Sequence, residues 1–279
     1  MRLQHDWTEF QSSQGPVPAW LSCPAAVSDP LPGVVVIQEV WGVDGHIQDV
    51  ADRFASAGYV ALAPDLHSAG EARPPALAPE RVEAVKAFLD TLRPGEWMAI
   101  LGDEGRRAEI LARLPGDQGA ALGETLGTLF SGARDASAQV GVLQAAVGFL
   151  KGHEACAGRP VGAVGYCMGG SLSALLACAE PELAAAVVYY GSSPPAERVE
   201  AIRCPILGLY GEQDERITSG VPAFAEAMKA AGKRFEYQIY PETPHAFFND
   251  TRASYRVEAA RDAWACTLAF FAEQLVLRE

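Results

Sequence analysis

The chain has 279 residues, 49% of them hydrophobic, which is enough to bury one large core without disulfide or metal staples. Its formal charge of −13 argues against nucleic acid and anionic membranes as partners, because both need basic surface; a small anionic substrate needs only one or two local arginines. No apolar run reaches the roughly 20 residues of a membrane span, and Met1 to Trp7 lacks the apolar stretch of a signal peptide, so a cytoplasmic location is expected.

In chain order, Val34 to Gln38 is a continuous apolar run that predicts a strand covered on both faces. Asp44 to Ala57 carries helical spacing (Ile47, Val50, Ala51, Phe54) and stops at Gly58. Tyr59 to Ala63 predicts the next strand, closed by Pro64-Asp65. Residues 71–135 interrupt this rhythm with helical stretches at Pro79–Leu92, Glu96–Leu114 and Gly119–Phe130, joined by Pro94-Gly95 and Pro115-Gly116. This helical insertion is either an extra layer or a lid over an active site. Further strands are predicted at Arg159–Val164, Leu183–Tyr190, Pro205–Tyr210 and Arg234–Tyr240, with helices at Ser171–Ala179, Val221–Ala231 and Ser254–Leu277. Strands alternating with helices imply an α/β fold with a doubly wound, mostly parallel sheet in a single domain over 1–279.

The segment Gly165-Tyr166-Cys167-Met168-Gly169-Gly170 lies between a predicted strand and a predicted helix. That is the pattern of a nucleophile elbow, whose glycines permit a strained turn and close packing of strand on helix. It lacks the lysine and hydroxyl ligand of a phosphate loop. Asp214 and His245 follow, each just beyond a later strand, in the order nucleophile, acid, histidine. Open α/β sheets place their active sites at such strand ends. The six cysteines are scattered, without metal-ligand or disulfide spacing, and read as reduced thiols. No metal site or cofactor motif emerges.

With these pieces in place, the chain resembles the dienelactone hydrolase (carboxymethylenebutenolidase) family of α/β-hydrolases. The matching segments are Val35-Val-Ile-Gln-Glu-Val-Trp-Gly-Val43, Gly58-Tyr-Val-Ala-Leu-Ala-Pro-Asp-Leu66, Gly165 to Gly170, Gly211-Glu-Gln-Asp214 and Pro244-His-Ala-Phe247. The resemblance implies an α/β-hydrolase fold with a helical insertion between the second recognised strand and the nucleophile strand. It assigns Cys167 as nucleophile, His245 as base and Asp214 as the residue orienting it. It also implies that Glu39 takes part in activating the cysteine, and that the backbone amides of Val40 and Met168 form the oxyanion hole. A carboxylate beside the sulfur would hold the resting thiol protonated by like-charge repulsion, which requires Glu39 within hydrogen-bonding reach of Cys167. The family holds a substrate carboxylate with arginines, one shortly after the catalytic histidine. Here Asn249 stands in that region, Arg252 lies three residues on, and Arg73, Arg81, Arg106, Arg107 and Arg134 occupy the insertion.

The expected activity is therefore hydrolysis of a small ester or lactone, a dienelactone-type enol lactone by preference, through a thioester on Cys167. A carboxylesterase or thioesterase acting on another small acyl substrate is the alternative. A non-catalytic small-molecule-binding protein on the same fold is the rival from another class, and a thiol redox role would need a resolving cysteine better placed than Cys178. Trp41, Tyr166, Phe247 and Asn249 are candidate substrate contacts, although core packing explains the aromatic residues as well. Cys178 and Cys266 read as inert helical thiols, and His5, His46, His67 and His153 as structural or solvated. The expected partner is a small molecule, with the protein a monomer or small homo-oligomer.

Overall fold

The computed structural model describes residues 2–70, 72–92, 96, 100, 103–130 and 135–277. Eight strands form one sheet: β1 (Leu3–Ser12), β2 (Gly15–Pro24), β3 (Gly33–Ile37), β4 (Val60–Pro64), β5 (Val161–Tyr166), β6 (Ala185–Tyr189), β7 (Ile206–Gly211) and β8 (Phe235–Tyr240). Their spatial order is β1-β2-β4-β3-β5-β6-β7-β8. The six strands from β3 to β8 run parallel, while β1 and β2 form an antiparallel hairpin whose second strand joins β4. Strands β3 to β7 are almost wholly apolar and fully buried, as a sheet covered on both faces requires.

Residue contacts divide the chain into two compact units, Met1–Gly70 with Ala136–Glu279, and Glu71–Asp135. The first unit holds the sheet. Its longer helices are α1 (Gly45–Ser56) and, after those of the second unit, α5 (Ala136–Gly152), α6 (Met168–Ala179), α7 (Val221–Ala230) and α8 (Val257–Phe271). They cover both faces. Val50 and Phe54 of α1 pack with Ala260 and Phe271 of α8 in one apolar cluster, while Leu143 and Val147 of α5 join Leu172, Leu176 and Phe224 in the other. Asp44 caps α1 by accepting the Ile47 amide at 3.0 Å, and Gly58 ends it at φ +93°.

Among its described residues, the second unit contains α2 (Pro79–Asp90), α3 (Glu104–Leu111) and α4 (Gln118–Phe130). Within it Arg81 of α2 donates to the Ala121 carbonyl at 2.5 Å and pairs with Glu124 at 2.8 Å. The expected Pro94-Gly95 joint and Arg134 lie outside the described residues. No described helix is long and apolar enough to cross a membrane.

The chain steps from β3 outward to β4 and then returns to the other side of β3 as β5. Parallel sheets carry their sites at such a reversal, in the crevice beyond the carboxyl ends of the strands. The register pairs Ile37 with Gly165, Tyr166 with Tyr189 and Gly211 with Tyr240, so the segments starting at Gln38, Cys167, Tyr190, Glu212 and Pro241 all leave the same edge.

Candidate active site

Cys167 is the N-cap of α6, with φ 55° and ψ −115°, a left-handed conformation that costs a non-glycine residue strain. Two glycines let the turn close. A Cβ on Gly165 would lie 1.9 Å from the Gly169 carbonyl oxygen, and one on Gly169 would lie 2.4 Å from that of Ile37 and 2.5 Å from that of Gln38. The elbow is thus pressed against both its own strand and the end of β3. The Cys167 amide is held by the Tyr189 carbonyl at 3.1 Å. The nucleophile candidate stands at the positive end of a 12-residue helix, where negative charge is favoured.

Asp214 and His245 meet as the motif order anticipates. His245 Nδ1 and Asp214 Oδ2 are 2.5 Å apart, the histidine 31% exposed and the aspartate 9%. The carboxylate is shielded while the imidazole stays open to a substrate. Burial alone would lower the basicity of His245. The charge of Cys167, a hydrogen bond donated to Asp214, one donated to Cys167 and the charge of Asp214 outweigh it and push the imidazole up to about 10.

Glu39 is 2% exposed. Its Oε1 accepts from the Tyr190 hydroxyl at 3.2 Å and its Oε2 from Asn249 Nδ2 at 2.7 Å. The expected hydrogen bond to Cys167 is not among these. Both carboxylate oxygens are engaged by neutral donors, Tyr190 and Asn249. Asn249 is bonded on both its amide atoms. It is fully buried, and its Oδ1 accepts from the Thr251 amide at 3.0 Å and hydroxyl at 2.6 Å.

Tyr166 and Phe247 have no exposed surface either and belong to the apolar cluster around Tyr189 and Phe248. Packing, the competing sequence explanation, accounts for them. Trp41 is also buried, with the Arg252 guanidinium 5.5 Å above its ring. The backbone at Val40 is braced from behind: His67 Nε2 lies 3.0 Å from the Val40 carbonyl oxygen, and Gln38 Oε1 accepts the Leu66 amide at 3.1 Å. Asp65, just beyond β4, accepts the His67 amide at 3.0 Å. Sequence reading missed this Gln38–His67 brace and the Tyr190 contact with Glu39. The one signal for Tyr190 was its place at the end of a buried strand, on the edge shared by every other site residue.

A doubly wound sheet with a glycine-stapled cysteine elbow at its switch point, followed by an Asp–His pair on later strand ends, defines an α/β-hydrolase. Residues 17–275 match the model of the dienelactone hydrolase family. The chain belongs to that family and is an ester-bond hydrolase. A Saccharolobus solfataricus protein provisionally named carboxymethylenebutenolidase is 32% identical over 265 residues, covering 94% of this chain and 95% of its own. An Escherichia coli K12 protein with the same provisional name is 31% identical over 278 residues, covering 95% and 85%. A Klebsiella pneumoniae crystal structure, provisionally named dienelactone hydrolase, superposes with a TM-score of 0.73 at 28% identity, covering 98% of this chain and all (100%) of the other.

Proposed function

We propose that the chain hydrolyses a small ester or lactone through a covalent thioester on Cys167. The observation that carries this reading is the 2.5 Å contact of His245 Nδ1 with Asp214 Oδ2, in a histidine whose basicity is coupled to Cys167. With Nδ1 held by Asp214, Nε2 is the nitrogen left to take the thiol proton. The sulfur attacks the acyl carbon, and the carbonyl electron pair moves to oxygen as the tetrahedral adduct forms. The amides of Val40 and Met168 are the proposed donors to that oxyanion, each such donor commonly worth about 3–4 kcal/mol. Collapse of the adduct breaks the ester C–O bond, and imidazolium returns its proton to the leaving oxygen. His245 then deprotonates a water, which attacks the thioester and releases the acid and the free thiol.

A dienelactone-type enol lactone is the favoured substrate on the strength of the provisionally named relatives. A neutral small ester is the second reading. Asn249 favours it, because the post-histidine position where the family places an arginine holds a buried amide already bonded to Glu39. The test is hydrolysis of a dienelactone and of a small aryl ester by wild type and Cys167→Ala. Dienelactone turnover abolished by the substitution supports mechanism and substrate together. Aryl ester turnover alone, equally abolished, keeps the mechanism and selects the second reading. Turnover unchanged in Cys167→Ala removes the nucleophile assignment.

A further inference from the structure

Tyr190 is one of the irregular residues at the sheet edge. It follows β6 with φ 39°, a conformation that is an outlier for a bulky side chain, yet it is 1% exposed and its amide is fixed to the Leu209 carbonyl at 2.9 Å. The next residue, Gly191, comes so close to α6 that an added Cβ would meet the Gly170 carbonyl carbon at 2.3 Å. The strained turn is therefore locked between β7 and the elbow helix. It turns the Tyr190 ring against His245, with ring centroids 5.0 Å apart, and its hydroxyl onto Glu39 Oε1 at 3.2 Å. Asn249 holds the other oxygen at 2.7 Å, and is itself fixed by two bonds from Thr251.

We propose that Tyr190 and Asn249 are positioning residues, which anchor the Glu39 carboxylate as a fixed charge beside the Cys167–His245 pair. The inference rests on the triad reading above. Both anchors are neutral and buried, so neither can be drawn off by a substrate carboxylate as an exposed cation could. The phenol suits an anchor: burial first, then the charge of Glu39, hold its proton well above the ordinary tyrosine range, so it remains a donor. The titratable groups that face this carboxylate are Tyr190 and Tyr166, with Cys167 and His245 reached across the Tyr190 ring.

A double-mutant cycle of Tyr190→Phe and Glu39→Gln tests this, read as steady-state hydrolysis of p-nitrophenyl acetate and as the pH profile of Cys167 alkylation by iodoacetamide. Tyr190→Phe keeps the ring against His245 and removes only the hydroxyl. The expected result is a kcat lower by roughly 10-fold, the scale of a lost hydrogen bond to a charged group, with KM unchanged and the alkylation profile displaced. In the Glu39→Gln background, the same change should have no further effect on either readout. Additive effects in the double variant, or a Tyr190→Phe enzyme identical to wild type in both readouts, overturn the proposal. If Tyr190→Phe fails to fold, Asn249→Ser takes its place in the same cycle from the other oxygen. Hydrolysis abolished by Cys167→Ala, alongside a failed cycle, isolates the failure to this inference; hydrolysis untouched by Cys167→Ala places it in the triad reading.

Discussion

The two sides of the sheet differ in how they spend backbone regularity. The β1–β2 hairpin pairs ten residues with ten, Leu3 with Pro24 through Ser12 with Gly15, in an unbroken antiparallel ladder with mostly exposed side chains on β1. At the other side, Cys167, Tyr190, Glu242 and Ala246 all take left-handed backbone conformations just beyond β5, β6 and β8. The same edge carries the buried polar groups Gln38, Glu39, His67 and Asn249. Strain and buried polarity each cost stability, and they persist only where surrounding packing over-determines them. Their concentration at one edge marks where the fold gives up stability for chemistry.

That contrast predicts a gradient of effects. Cys167→Ala should reduce ester hydrolysis by about 10⁴-fold or more without loss of fold, measured as kcat/KM and checked by circular dichroism. Asp214→Asn should cost about 10³- to 10⁴-fold in kcat, because the amide no longer selects the working tautomer of His245. Gly165→Ala should destabilise the protein by about 3 kcal/mol or more in denaturant titration, since its methyl would lie 1.9 Å from the Gly169 oxygen. A substitution at that site tolerated with wild-type stability would mean the elbow is looser than described.

The pH response should follow His245. Its imidazole sits at about 10 in the folded protein against an ordinary 6.5. Stability contributed by a raised pKa is fully present below about 6.5 and is lost as pH climbs toward about 10. The melting temperature should fall across that window, and Cys167→Ala should flatten the fall by removing the largest raising cause. At the quiet side of the sheet, His5→Ala breaks a 2.7 Å contact with Asp52 in which the histidine is 47% exposed. It should change stability by no more than about 1 kcal/mol and leave kcat unchanged. A large effect there would erase the distinction between the two sides.

Much of this layout was legible beforehand, for identifiable reasons. Parallel strands buried on both faces read as apolar runs, so β3, β5 and β7 fell within a residue or two of their predicted spans. The elbow glycines, Asp214 and His245 were legible because turn chemistry and chain order constrain them locally. The β1–β2 hairpin escaped notice because β1 is polar and mostly exposed and β2 is interrupted by Pro16 and Pro18, and α5 because Ala136–Gly152 lies against the end of the helical insertion in sequence. The partners of Glu39 were illegible for a different reason. Tyr190 and Asn249 lie 151 and 210 residues away in the chain, and only the register of β6 and the loop after His245 brings them in.

The most direct test of the account is rapid-quench mass spectrometry of the wild-type enzyme turning over a small aryl ester. The account predicts an acyl adduct on the peptide containing Cys167, formed and lost at rates consistent with kcat. Sustained turnover with Cys167 unmodified throughout, and unimpaired in Cys167→Ala, would contradict it.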